Sequence, residues 1–137
     1  MTATPATTSP SATTWLRRNG PTWCVGSIRS PSIQNRPAPY PAVVVLHGCG
    51  GFSSHSAKIA DQLGSWGYVA LTVDSLGPRG IASHCGGGWF LEQAFDAYAA
   101  LRYLSQLEFV DPVRVAVLGQ SMGGSSAIYA VDRELAA

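Results

Sequence analysis

Charge is scarce in this sequence. Charged residues make up 12% of the 137 positions and the formal net charge is +1. That balance excludes a nucleic-acid face, a polybasic membrane patch and an acidic binding tail. Long apolar runs are also absent: none approaches the roughly 20 residues of a membrane-spanning helix. The N-terminal "MTATPATTSPSATT" has neither the basic region nor the apolar stretch of a secretory signal. Its Thr, Ser, Ala and Pro content can bury little surface, so residues 1–20 read as a flexible tail. Cysteine is limited to Cys24, Cys49 and Cys85, an odd count with no CxxC pair. Free thiols, a reducing compartment and a cytoplasmic protein are therefore expected. His84, Cys85 and Cys49 match no metal-ligand spacing, and neither a metal nor a cofactor is implied.

The sequence does have the apolar content, 46%, to build a core over residues 21–137. Residues 23–33 suit one or two edge strands, and "NRPAPYP" at 35–41 then breaks regular structure. "AVVVL", Ala42–Leu46, is continuously apolar rather than alternating, as a strand covered on both faces would be. Ile59, Ala60, Leu63 and Trp66 fall at helical spacing, with Ser53 or Ser54 as cap and Gly67 as stop. A second strand is predicted over Tyr68–Asp74. A second helix follows from Phe90 to about Leu107, with Leu91, Ala94, Phe95, Tyr98, Leu101 and Leu104 on one face. Asp111-Pro112 turns the chain into a third strand, Val113–Leu118, and a helix runs from Met122 to about Leu135. Strands alternating with helices imply an α/β fold, a mainly parallel sheet flanked by helices. The glycine-rich loops at 48–51, 77–88 and 119–124 then share the carboxyl ends of the strands, where such sheets bind ligands.

One of those loops carries a chemical pattern. Gly119-Gln120-Ser121-Met122-Gly123 fits a nucleophile elbow, a sharp turn from strand to helix with a serine at its tip. Side chains at the two glycine positions would collide with the strand and the helix. The bland alternative is a glycine-rich turn in which Ser121 only caps the helix. The second element is His47-Gly48-Cys49-Gly50-Gly51. Acyl transfer needs two N–H groups aimed at the tetrahedral oxyanion, each worth about 3 kcal/mol. The backbone amides of Met122 and Cys49 are the candidates. A phosphate-binding turn is disfavoured, because GxGxxG would need glycine where Ser53 stands.

"PAVVVLHGCGGF", "LGSWGYVALTVDSLGPRG", "DAYAALRYL" and "VAVLGQSMGGSSAIY", in this order, resemble the dienelactone hydrolase family of the α/β-hydrolase superfamily. The resemblance covers about residues 41–131. It implies a nucleophile at Ser121, oxyanion donors at Cys49 and Met122, and an ester or lactone as substrate. It also places Arg79 near the pocket, where classical members use arginine to hold a substrate carboxylate; an exposed loop arginine is the competing reading. Serine stands where classical members have cysteine, which favours ordinary ester hydrolysis. The His47-Gly48 pair replaces a glutamate of those members.

The family places its acid and histidine after the nucleophile. Here only Asp132 and Glu134 follow, and His47, His55 and His84 all precede Ser121. His47 reads as a support for the oxyanion loop through its ring. His55 reads as a capping or surface residue, and His84 could approach from an unusual direction. The fold therefore looks truncated after the elbow helix, an N-terminal portion of a hydrolase of roughly 230–280 residues. Alternatively it is a short form that completes its sheet by homo-oligomerisation through an unpaired edge. Two functions stay open: a serine hydrolase acting through an acyl-enzyme, or a catalytically silent, partner-binding fragment.

Overall fold

The computed structural model describes residues 25–31, 36–88 and 90–132. The tail at 1–20, Cys24 and Glu134 lie outside them. Four strands, β1 (Val25–Arg29), β2 (Tyr40–Leu46), β3 (Val69–Asp74) and β4 (Val110–Gly119), form one mixed sheet in the order β1-β3-β2-β4. β2 pairs in parallel with β3 and β4, and β1 covers the far side of β3 antiparallel. The α/β architecture and the edge strand near residue 25 are as the sequence implies.

β2 shows why its run of apolar residues does not alternate. Ala42, Val44 and Leu46 face one core with Leu71, Val73, Ala97, Ala100 and Leu104, whereas Val43 and Val45 face another with Ala60, Leu63 and Ala70. Helix α1 (Ser54–Ser65) covers the second face; α2 (Phe90–Leu104) and α3 (Met122–Ala130) cover the first. Ser53 caps α1 by accepting from the His55 N–H, and Gly67 leaves the helix with φ +94°. Both boundaries follow the sequence signals. Trp66, expected on the buried face of this helix, is 59% exposed.

The face predicted for α2 needs correction. Its buried side is Gln93, Ala94, Asp96, Ala97, Ala100 and Leu104, while Leu91, Phe95 and Leu101 are exposed. Three alanines let the helix lie close on the sheet, and the two polar residues find partners inside. The helix also stops at Leu104 rather than near Leu107, and α3 stops at Ala130 rather than near Leu135.

β4 starts earlier than expected, at Val110, and the Asp111-Pro112 turn is a bulge within it: Tyr40 pairs with Val110 but Ala42 with Val115. Asp111 closes the bulge by accepting from Arg114 Nε at 2.6 Å and Val113 N at 3.1 Å. These bonds, the Arg114 one foremost, hold its carboxyl below the usual carboxylate range. No helix among the described residues is long and apolar enough to cross a membrane.

Candidate active site

The three parallel strands deliver their following loops to one end of the sheet. At the end of β4 the chain reverses into α3 within two residues, Gln120 and Ser121. Ser121 has φ +54° and ψ −117°, and among the described residues it is the one non-glycine residue with positive φ. A Cβ on Gly119 would stand 1.9 Å from the Gly123 carbonyl oxygen, and one on Gly123 would stand 2.4 Å from the Leu46 oxygen and 2.6 Å from the His47 oxygen. Glycine at both positions is thus a steric requirement of the turn. Ser121 occupies the N-cap position of α3, yet its side chain makes no capping bond and the residue is exposed. Capping is therefore not what the hydroxyl does. Met122 opens the helix, where an N–H has no intrahelical acceptor.

The loop after β2 lies against this turn. A Cβ on Gly48 would be 3.5 Å from Ser121 Cβ and 3.4 Å from the Gln120 oxygen. The Gly48 carbonyl takes two hydrogen bonds, from His47 Nδ1 at 2.7 Å and from the Gly51 N–H at 3.1 Å. That carbonyl shares a planar trans peptide unit with the Cys49 N–H, so fixing one sends the other in the opposite direction. His47 is buried, and its Nε2 accepts from the Ser75 N–H at 3.1 Å. An acceptor at Nε2 puts the ring proton on Nδ1, the atom facing the Gly48 oxygen. Both ring nitrogens are then engaged, and His47 has no lone pair to offer Ser121.

The loop at 77–88 closes the third side, and here the cysteine expectation fails. Cys49 and Cys85 form a disulfide, 36 residues apart in sequence with Cα atoms 4.8 Å apart. The His84 N–H also donates to the Cys49 oxygen at 2.8 Å. Neither thiol is free to bind a metal, and the argument for a reducing compartment loses its basis. An odd cysteine count concealed the bond. The shared location of the two glycine-rich loops was the signal that could have found it. Closing a loop of this length removes about 3–4 kcal/mol of unfolded-state freedom. Cys85→Ser is expected to lower the unfolding free energy by about 3 kcal/mol, measured by urea denaturation, and dithiothreitol should bring the unsubstituted chain to the same midpoint.

Arg79 ends a short 3-10 turn, Gly77–Arg79. Its guanidinium donates to both oxygens of Asp96, at 2.7 and 2.9 Å, and to the Ser75 carbonyl. Asp96 is 1% exposed. Arg79 thus reaches inward to α2, and holding a substrate carboxylate would require it to leave this pair. His55 lies on the exposed first turn of α1, and Asp132 lies just beyond α3. Gln93, Ser126 and Asp96, buried polar residues around the site, have partners remote in sequence and carry no local signal.

The family model for the dienelactone hydrolase family matches residues 30–137. An uncharacterized Mycobacterium tuberculosis protein, Rv2307c, is 38% identical over 98 residues, covering 71% of this chain and 34% of that protein. Among solved structures, one titled m3DLH is 28% identical with a TM-score of 0.62, covering 77% of this chain and 47% of that one. A ferulic-acid-bound Est1E from Butyrivibrio proteoclasticus is 21% identical with a TM-score of 0.61, covering 78% of this chain and 42% of that one. The chain spans about a third of the length of the curated relatives it matches.

Proposed function

Because the chain belongs to the dienelactone hydrolase family, we propose that it carries the nucleophile and oxyanion half of a serine hydrolase for carboxylic esters or lactones. One observation carries the reading. Ser121 is held at positive φ on a turn that only glycines can flank, with its hydroxyl exposed and not used as a cap. This is the backbone of a nucleophile elbow, and a residue in a sparsely populated conformation is maintained only where the surroundings enforce it.

In the proposed reaction the Ser121 hydroxyl loses its proton as Oγ adds to the carbonyl carbon. The carbonyl oxygen becomes an oxyanion between the Cys49 and Met122 N–H groups. Collapse expels the alkoxide, which takes up a proton, and leaves an acyl-serine that water hydrolyses by the same sequence. A lactone differs only in that its alkoxide stays attached to the acyl group. The proton carrier must be a histidine oriented by an acid. His47 is engaged at both ring nitrogens, so the relay falls to residues other than His47. Arg79 supports the site by holding α2, and no metal or cofactor enters the scheme.

The test is a fluorophosphonate probe applied to the full-length protein, followed by peptide mapping. One adduct per chain, on the peptide bearing Ser121, is the expected result; an unmodified Ser121 refutes the reading. The outer edge of β4, unpaired among the described residues, with Val113 87% exposed and Leu118 38%, favours a second reading, a silent association module. An unlabelled protein with a dimeric mass in solution would favour that alternative.

A further inference from the structure

The two N–H groups assigned to the oxyanion come from separate segments, the loop after β2 and the first turn of α3. Their spacing depends on what joins those segments. Direct contact is close packing at Gly123 and at Gly48, which lies against Gln120 and Ser121, together with a long bond of 3.3 Å from the Gln120 N–H to the Leu46 oxygen. The shorter links run through a side chain of α2. Gln93, 0% exposed, donates from Nε2 to the His47 carbonyl at 3.0 Å and accepts at Oε1 from Ser126 Oγ at 2.7 Å. Its amide can sit only this way round, because a flip would set Oε1 against the His47 oxygen, acceptor against acceptor. Ser126, also 0% exposed, lies one helical turn beyond Met122 and is 3.0 Å from the Met122 oxygen. The Ser126 proton has two acceptors in reach, and the shorter contact takes it to Gln93.

We propose that Gln93 is a positioning residue that sets the separation and angle of the Cys49 and Met122 N–H groups. Its hold on the His47 carbonyl fixes the peptide unit from which the ring of His47 and then the Gly48–Cys49 unit are oriented. Its hold on Ser126 fixes the first turns of α3. The polar groups of Gln93 bond to His47 and Ser126, so it acts on the transition state through those two segments. The inference rests on the assignment of Ser121, Cys49 and Met122 made above.

The test compares full-length wild type, Gln93→Met, which keeps the shape without the hydrogen bonds, and Gln93→Glu. For Gln93→Met, kcat on a p-nitrophenyl ester and the fluorophosphonate labelling rate should each fall roughly 10- to 100-fold, the scale of a misplacement of about 1 Å, with KM within about twofold. In Gln93→Glu a protonated carboxyl can donate to the His47 oxygen as the amide does, so the ratio of variant to wild-type rate should rise as pH falls. Amide exchange at Gly51, bonded to the Gly48 oxygen, should quicken at least about tenfold in Gln93→Met, since weakening a bond by 1.4 kcal/mol is tenfold in its equilibrium. Unchanged exchange, unchanged labelling, a loss confined to KM, or a Glu ratio flat with pH overturns the proposal. If wild type itself fails to label, the nucleophile reading falls, and the exchange measurement alone decides on Gln93.

Discussion

Gly119→Ala is expected to abolish the cooperative thermal transition of this chain. The added Cβ would lie 1.9 Å from the Gly123 oxygen, 2.1 Å from the Gly123 carbonyl carbon and 2.7 Å from the Gly124 nitrogen. All three are backbone atoms, so no rotamer change relieves the clash, and β4 and α3 must part at the turn. Overpacking a core with side chains costs about 1–3 kcal/mol. A backbone clash of this depth should exceed about 4 kcal/mol, against total stabilities of roughly 5–15 kcal/mol. Gly124→Ala is the matched control. Its Cβ meets nothing closer than 3.4 Å, and inside a helix alanine is favoured over glycine by about 1 kcal/mol. Circular dichroism melts of both variants check the pair. A Gly119→Ala midpoint within about 4 °C of wild type, equivalent to roughly 1 kcal/mol at this size, would contradict the steric account.

Arg79→Ala should be the next most damaging change. It leaves the Asp96 carboxylate, 1% exposed, without its bidentate partner, while Arg79 itself is only 16% exposed at its side chain. Stranding a buried charge costs about 3–5 kcal/mol, whereas replacing both partners by apolar residues is often close to neutral. Arg79→Met combined with Asp96→Leu should therefore be more stable than Arg79→Ala alone, as read from urea midpoints. The reverse order would mean that the pair is weakly coupled. Because α2 also carries Gln93, the single variant should slow Ser121 labelling as well, and the double variant should recover part of the rate.

The sequence revealed features fixed by local chemistry. The unbroken apolar run of β2, the serine cap and glycine stop of α1 and the two glycines around Ser121 each answer to a constraint within a few residues. The buried face of α2 was not legible. Reading it from the largest apolar side chains chose Leu91, Phe95 and Leu101, all of which are exposed. Ala94 and Leu104 are buried as that face implies, and the sheet takes Ala97, Ala100, Gln93 and Asp96 beside them. A buried glutamine or aspartate betrays itself only through partners, and here those are His47, Ser126 and Arg79. The Cys49–Cys85 bond was hidden for the same reason, since it depends on where two loops meet. Candidate site residues were readable on the two short loops, and the side chains that hold those loops in place were not.

The positive φ of Ser121 has an evolutionary consequence. Holding a serine in such a region costs of order 1–3 kcal/mol, and glycine could occupy the same backbone without that cost. Selection for thermal robustness alone would therefore push position 121 toward glycine, and the hydroxyl would be lost early. A lineage that keeps serine there carries the strain in every generation, and that is sustainable only while the hydroxyl contributes something the folded state does not need.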